Sequence, residues 1–440
     1  VENNKMIKPK LSFRIEDDKI IKRTEIGNLN GECSHVFQGT NEREIEQADL
    51  AKTWAVTNLK SKRRPIYESN GKKPLRLADF FCGCGGLSLG VTNSLNAVGI
   101  DVHYSIACDI SKDSLDVYNA NFSPDCLIHE NAANLVRRKG LGTTSGIIEN
   151  NLDQIELSPE ICDHEGKIDV FVAGPPCEGN SNLNNKTRRI DARNNHYVTA
   201  VMIAVKLRAE IIIVENVQTV TKAKQNVVEH SKVILQQAGY SIENIEYTLK
   251  AEKFNVAQKR VRHFVIAVKN KPYSNSIDFN GLVGSQINTI DVIKDLVGRP
   301  PTNIMDLFSV LSAENKRRID FLFKNDLYDL PDSERPFCHR EKEHTYPSVY
   351  GRLFPNQPAF TITTGFQSPG RGRYIHPTVP RGLTPREGAR LQSFPDYFKW
   401  RTPLCRTTKN SITRLIGDAV PPNLGETAMS IALASCKNLQ

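Results

Sequence analysis

From Leu75 onward short apolar runs alternate with helix-length segments, and this alternation constrains the fold more than any other property of the chain. The run Leu75-Arg76-Leu77-Ala78-Asp79-Phe80-Phe81 leads into a glycine-rich turn. Strands are then predicted at His103–Asp109, Ile168–Ala173 and Ile211–Val214, interleaved with helices at Lys112–Asn121, Asn195–Leu207 and Ala223–Ala238. Two further strands, around Ile242–Leu249 and His263–Val268, complete the series. Such a βαβ series implies an α/β fold, Rossmann-like, with a mostly parallel sheet and helices on both faces. Between Ala132 and Gly166 lies a longer polar insertion without clear periodicity.

The 440 residues, 39% of them hydrophobic, can bury a large core and still leave material for a smaller second domain. Residues 1–74 are polar and mixed in charge and are expected to form a separate extension. It holds one amphipathic helix near Glu42–Asn58 and ends in Lys60-Ser61-Lys62-Arg63-Arg64-Pro65, which fits a solvated linker slightly better than a dedicated phosphate contact. The α/β domain is expected over 75–269. An irregular domain rich in proline, glycine and arginine follows over 270–380, and the first domain resumes over 381–440. There Thr384-Pro385-Arg386-Glu387 supplies a helix cap, a first-turn proline and a capping-box glutamate, and a final helix is expected near Asn423–Cys436.

Composition narrows the setting. A net charge of +9 suits a polyanionic partner. The ten cysteines are scattered, and Cys82-x-Cys84 lacks a second pair at zinc spacing, so free thiols in a reducing cytoplasm and no structural metal are expected. No apolar stretch has the length of a membrane span, and Val1-Glu2-Asn3-Asn4-Lys5 lacks the pattern of a secretory signal.

Several residues carry chemistry. In Gly174-Pro175-Pro176-Cys177 a thiol sits in a stiff turn directly after a buried strand, where an α/β enzyme would hold a nucleophile; taken alone, Cys177 fits a small buried hydrophobe equally well. The turn Asp79-Phe80-Phe81-Cys82-Gly83-Cys84-Gly85-Gly86-Leu87 allows close backbone approach to a ligand. It matches neither the dinucleotide G-x-G-x-x-G pattern nor the Walker loop. Asp109, at the end of the second strand, is placed to accept from ribose hydroxyls, which points to a nucleoside-bearing cofactor. Glu215 follows four apolar residues, so desolvation raises its pKa and lets it donate a proton. Arg260 and Arg262 alternate on one face of an incoming strand.

These segments, with Leu383-Thr384-Pro385-Arg386-Glu387-Gly388-Ala389-Arg390-Leu391-Gln392-Ser393-Phe394-Pro395-Asp396 and Gly417-Asp418-Ala419-Val420-Pro421-Pro422, stand in the order of a known motif set. In them the chain resembles the DNA (cytosine-5)-methyltransferases of the bacterial restriction-modification type. The resemblance implies S-adenosyl-L-methionine as cofactor, leaving as S-adenosyl-L-homocysteine. Phe81 and Ile110 would flank the adenine, Asp109 would bind the ribose, and Asn131 and Ala132 would lie near the adenine edge. Gly83, Gly85, Gly86, Leu87, Pro175, Asp418 and Ala419 would complete the pocket. It implies that Cys177 adds to carbon 6 of a flipped cytosine while Glu215 acts at nitrogen 3, with Arg260 and Arg262 holding Glu215 and the base. The recognition region would be 270–380, and Glu178, Ser181, Arg352, Thr363, Thr364, Arg371 and Arg373 would meet double-stranded DNA. The enzyme is expected to act as a monomer, either protecting host DNA beside a separately acting restriction endonuclease or working as a solitary enzyme. RNA as substrate, and a catalytically impaired DNA-binding relative, stay open as alternatives.

The chain departs from the family pattern twice. Glu178-Gly179-Asn180-Ser181 stands where Gln-Gly-Phe-Ser is usual, and Asp418 replaces the usual Asn. Both put rate and substrate preference in question more than fold.

Overall fold

The structure is a computed structural model that describes residues 8–36, 49–138, 142–143, 155–176, 194–242, 244–269, 277–337, 340, 349–403, 405 and 407–436. The region before residue 75 is more ordered than its polarity suggests. Strands β1 (Lys10–Glu16), β2 (Lys19–Ile26) and β3 (Leu29–Val36), helix α1 (Leu50–Lys60) and strand β4 (Ile66–Tyr67) build an antiparallel sheet in the order β1-β2-β3-β4 with one helix against it. Of the helix expected at Glu42–Asn58, residues 42–48 lie outside the described residues; α1 is capped by the Asp49 carboxylate, which accepts from the Lys52 amide. Leu11, Phe13 and Ile15 alternate with charged or polar neighbours, so one face of the sheet is apolar and the other solvated.

That apolar face is docked on the rest of the molecule. Ile26 and Leu29 share a cluster with Leu95 and Val98. A Cβ on Gly31 would lie 2.6 Å from the Ala97 carbonyl oxygen, so the backbones meet there. Lys22 is ion-paired with Glu426, Lys52 with Asp291 at 2.7 Å and Lys60 with Asp295 at 3.3 Å. Lys60 is therefore not part of a solvated linker, and Arg64 donates to the Asn121 carbonyl at 2.9 Å.

The α/β region follows with β5 (Leu75–Phe80), α2 (Gly86–Asn96), β6 (Val102–Asp109), α3 (Lys112–Phe122) and β7 (Cys126–His129). The polar insertion holds β8 (Val136–Arg138), β9 (Gly142–Thr143), β10 (Ile155–Leu157) and α4 (Pro159–Cys162), its strands pairing as a small sheet in the order β10-β8-β9. Next come β11 (Val170–Ala173), α5 (Asn195–Lys206), β12 (Ile211–Val217), α6 (Val227–Gln237), β13 (Glu246–Lys250) and β14 (Val261–Val268). The central sheet runs β13-β14-β12-β11-β5-β6-β7. Its strands β7, β6, β5, β11 and β12 are parallel, and β14 is antiparallel to both β12 and β13.

Alternate strand residues feed two cores. Phe80, Ile106, Phe171, Ile212 and Val214 pack with α5 and α6, whereas Leu77, Val170, Val172, Ile211 and Ile213 pack on the opposite face with α2. Burial on both faces explains why these strands read as nearly continuous apolar runs. Strand order reverses between β5 and β11, which opens a crevice at the carboxyl ends of those two strands.

The remaining helices are α7 (Thr289–Ile293), α8 (Ala313–Lys324), α9 (Pro385–Leu391), α10 (Lys409–Asp418) and α11 (Pro422–Ser435). Glu426 lies on α11. Helices α2 and α11 cross so closely that a Cβ on Gly90 would lie 2.0 Å from the Pro422 carbonyl oxygen. Among the described residues 277–380 contain short helices and isolated bridges but no named strand. Ile319, Leu322, Leu330, Val349, Tyr350 and Ile375 form a small core of their own. Ile287, Met305, Leu353, Ile362 and Phe366 instead share a cluster with Leu383, Ala389 and Ile416, joining this region to the α/β body. No helix among the described residues is long and apolar enough to cross a membrane.

Candidate active site

The crevice is lined first by the turn after β5. Phe81 has φ 55°, a left-handed conformation costly for an aromatic residue, and its ring meets that of His196 at 5.5 Å. Gly85 has φ 91° and a Cβ there would lie 2.3 Å from the Phe122 ring, so only glycine fits between this turn and α3. The Gly83 amide donates to Asp109 Oδ2 at 2.9 Å, and the Ser111 amide donates to Asp109 Oδ1 at 2.8 Å. Burial pushes the Asp109 carboxyl up, while these amides and the nearby Arg414 pull it back. Beside it Ile110 leaves 70% of its surface exposed, an apolar side chain standing at the lip of a polar crevice. Asn131 caps the turn of 3₁₀ helix that begins at Ala132, accepting from the Ala133 amide at 3.0 Å. Beneath the turn Asp79 is wholly buried, accepts from Ser88 Oγ at 2.7 Å and is pushed up to about 8 by desolvation.

The second wall is the pair β12 and β14. Their antiparallel register sets Val217 opposite Arg262, two residues beyond Glu215. Arg262 Nε lies 2.9 Å from Glu215 Oε1, and both side chains are nearly buried. Desolvation raises the Glu215 pKa; the charges of Arg262 and then Arg260, and the hydrogen bond from Arg262, oppose that rise. Next in sequence, Asn216 Nδ2 donates to the Pro175 carbonyl at 3.1 Å, tying the acid strand to the Gly174-Pro175-Pro176 turn after β11. Cys177, Glu178 and Ser181, with Asn180, lie outside the described residues.

Three segments converge on Gly174. A Cβ at that position would be 3.8 Å from Glu215 Oε2, from the Phe81 carbonyl oxygen and from Val420 Cγ2. The last motif thus closes the crevice opposite the sheet edge. Asp418 is exposed at the carboxyl end of α10, and its charge is among those that raise the buried Cys84 thiol; Ala419 follows it into the interior. Arg260 acts on Glu215 through its charge, while its hydrogen bonds go elsewhere. It is buried and donates to the carbonyls of Ile362 at 2.9 Å, Ala419 at 3.1 Å and Gly417 at 3.3 Å.

The segment 349–375 approaches from the remaining side. A Cβ on Gly417 would lie 2.3 Å from the Thr364 amide nitrogen, so the Thr363-Thr364 backbone rests directly on the end of α10. Thr363 Oγ1 shares a 2.9 Å hydrogen bond with the Tyr374 hydroxyl, while Thr364 and Arg371 are exposed. Arg352 and Arg373 turn inward. Arg352 donates to the Pro377 carbonyl and to Asp326, and Arg373 to the carbonyls of Tyr328 and Arg352 and to Asp329.

Residues 75–431 match the family profile described as C-5 cytosine-specific DNA methylase. The chain belongs to this family. It is 38% identical over 414 residues to the type II methyltransferase M1.BsuMI of Bacillus subtilis (strain 168), covering 94% of this chain and 92% of that protein. Identity to the type II methyltransferase M.XorII of Xanthomonas oryzae pv. oryzae is 29% over 383 residues, covering 79% and 81%. A crystal structure of a putative DNA modification methyltransferase encoded within a prophage (E. coli) shares the fold. It has a TM-score of 0.51 and 22% identity, and the match covers 81% of this chain and 97% of that one. As a member of its family this methylase transfers a methyl group from S-adenosylmethionine to carbon 5 of cytosine in DNA.

Sequence reasoning missed how the methylase holds its crevice together. Asn216 is one such tie: an amide after a strand-end acid can bind backbone across the crevice, and this one reaches the Pro175 carbonyl. Gln258, fully buried, accepts from the Ile362 amide at 2.9 Å and donates to Gln392 Oε1 at 2.8 Å. Gln392 in turn donates to the Ile416 carbonyl. Buried glutamine in two separate motifs is a signal of such cross-links, since an amide placed in a core needs partners.

Proposed function

We propose that Cys177 and Glu215 carry the chemistry of this methylase and that the crevice around Gly174 receives a cytosine turned out of duplex DNA. The convergence at Gly174 supports this reading most: one carboxyl oxygen, the cofactor turn and the last motif surround a single point beside the residues leading to Cys177. Carbon 5 of cytosine is a weak nucleophile. Addition of the Cys177 thiolate to carbon 6, with a proton or hydrogen bond from Glu215 to nitrogen 3, converts it into an enamine carbon. Once carbon 5 has taken the methyl group, loss of its proton to a base expels the thiolate from carbon 6 and restores the ring. Glu215 is suited to donate because burial keeps its pKa raised, and Arg262 is suited to orient it. Flipping costs on the order of a few kcal/mol, offset by contacts in the pocket.

The residues present fit S-adenosylmethionine. When bound, it supplies an electrophilic methyl group. Asp109 spends one lone pair of each oxygen on a backbone amide, and the Ser114 side chain also bonds it, but a carboxylate has further acceptor positions for ribose hydroxyls. Phe81 and the exposed Ile110 offer apolar surface to an adenine, with Asn131 and Ala132 at its edge. Gly83, Gly85, Gly86, Leu87, Pro175, Asp418 and Ala419 make up the rest of the cofactor pocket in this reading. Thr363, Thr364 and Arg371 are assigned to DNA recognition, together with Glu178 and Ser181. The biological role is protection of host DNA beside a separately acting endonuclease, by a cytoplasmic enzyme working as a monomer.

Incubation with labelled S-adenosylmethionine and either genomic DNA or tRNA, followed by bisulfite mapping, tests the reading. 5-Methylcytosine is expected at one DNA sequence; label in RNA alone would overturn it. A covalent complex with 5-fluorocytosine DNA should form in the wild type and disappear in Cys177→Ser.

A further inference from the structure

Two arginines of the recognition region are stacked in a continuous series of cations and rings. The guanidinium of Arg352 lies 4.2 Å from the ring centroid of Phe323 on α8 and 4.8 Å from that of Tyr328. Tyr328 stacks on Phe354 at 4.8 Å with 22° between the rings. Arg373 lies 4.7 Å from Phe354 and 5.3 Å from Phe360, and Lys259 Nζ lies 5.6 Å from Phe360 on the way into β14. In the plane of each guanidinium several donors are also engaged: Arg352 Nε and Nη1 with the Pro377 carbonyl and Asp326, and Arg373 Nη1 and Nη2 with the Tyr328 and Arg352 carbonyls and Asp329, while Arg373 Nε is buried without a hydrogen-bond partner among the described residues. A guanidinium that is nearly buried, packed against two rings and paired with a carboxylate offers little surface to a phosphate or a base.

The far end of the series reaches the catalytic strand. The Lys259 amide donates to the Ala359 carbonyl at 2.7 Å, its own carbonyl accepts from Thr361 Oγ1 at 2.8 Å, and three residues on, Arg262 holds Glu215. We propose that Arg352 and Arg373 are positioning residues, not DNA contacts: through the series Phe323-Arg352-Tyr328-Phe354-Arg373-Phe360-Lys259 they fix the recognition region on the strand that carries Arg262. Docking of the correct DNA on that region is thereby coupled to the setting of the Arg262–Glu215 pair. This deepens the proposed function and rests on Glu215 acting as the acid.

The test compares Arg373→Met, Phe360→Leu and Phe360→Tyr in the full-length enzyme. Single-turnover methylation with enzyme in excess is read against pH, and the affinity for a duplex carrying the mapped site is read against salt. For Arg373→Met and Phe360→Leu the single-turnover rate is expected to fall at least tenfold. The alkaline limb of the rate profile should move to higher pH, because a loosened Arg262 no longer lowers the Glu215 pKa. Phe360→Tyr, which keeps the ring, should restore both. The salt slope of binding should stay at its wild-type value. A slope for Arg373→Met reduced by about one, with the pH limb unmoved, would mark a phosphate contact and overturn the proposal. Wild-type rate and pH limb in Phe360→Leu would overturn it as well, even if Arg373→Met does not fold. Glu215→Gln separates the two layers: wild-type rate there would remove the acid assignment, whatever the stacked series does.

Discussion

The edge of the central sheet and the segment from Val349 to Ile375 both hold arginines away from water, and they do so by different means. At the sheet edge Arg262 is placed by strand register, and its charge meets the buried carboxyl of Glu215. In the segment from Val349 to Ile375 no ladder exists among the described residues, so Arg352 and Arg373 are placed by rings and by carbonyls of irregular backbone. A sheet fixes a side chain to a fraction of an ångström cheaply, since its hydrogen bonds are shared along the whole strand. Irregular backbone must be fixed residue by residue, and each tie is a separate point of failure. Chemistry that needs a constant geometry sits on the first kind of support. In the proposed reading, recognition sits on the second.

Substitutions that break one region and spare the other sharpen this contrast. The largest effect is expected at the sheet edge. Glu215→Gln keeps the shape but cannot give up a proton, and kcat should fall about 100- to 10,000-fold with little change in DNA affinity. In the wild type the rate should decline as pH rises through the raised pKa of Glu215, because the deprotonated carboxylate no longer donates. A pH–rate profile of the variant should lack that limb.

Next comes Arg260, which spans the two regions. Arg260→Met leaves the carbonyls of Ile362, Gly417 and Ala419 without this donor in a buried setting, a loss of about 3 kcal/mol in urea unfolding. An effect under 1 kcal/mol would show that the regions are independently held. Thr384→Ala removes the cap of α9, where Thr384 Oγ1 accepts from the Glu387 amide and Glu387 answers at the Thr384 amide. About 1 kcal/mol of stability should go, with the rate per folded enzyme unchanged. The smallest effect is expected for Asp418→Asn. A carboxylate at the carboxyl end of α10 opposes the helix dipole, so its removal should add about 0.5 kcal/mol and preserve or raise activity. A large loss of activity would mean that the carboxylate is an adaptation of this enzyme.

The same contrast explains what could be read from the sequence. Val170–Ala173 and Ile211–Val214 announce buried strands because unbroken apolar runs of this length are too short for a helix and stand between turn signals. The capping box at Thr384 was legible for a similar reason: its partners are three residues apart. Arg260 and Arg262 looked equivalent by alternation, yet one meets a carboxylate and the other three carbonyls, a choice made by segments more than 100 residues away. The inward turn of Arg352 and Arg373 is tertiary in the same sense. The sheet before residue 75 was missed for a different reason. Averaging its charge hid an alternation that was present in Leu11, Phe13 and Ile15, and Gly27-Asn28 between two such runs is a hairpin signal.

That sheet bears on how the protein can be handled. The family profile begins at residue 75, which invites expression of a shortened enzyme starting there. Such a fragment would leave Glu426 without Lys22 and would bare Leu95, Ala97 and Val98, surface that in the whole chain is never wetted. It would be expected to clump rather than to work, and the boundary suggested by kinship is therefore not a safe place to cut.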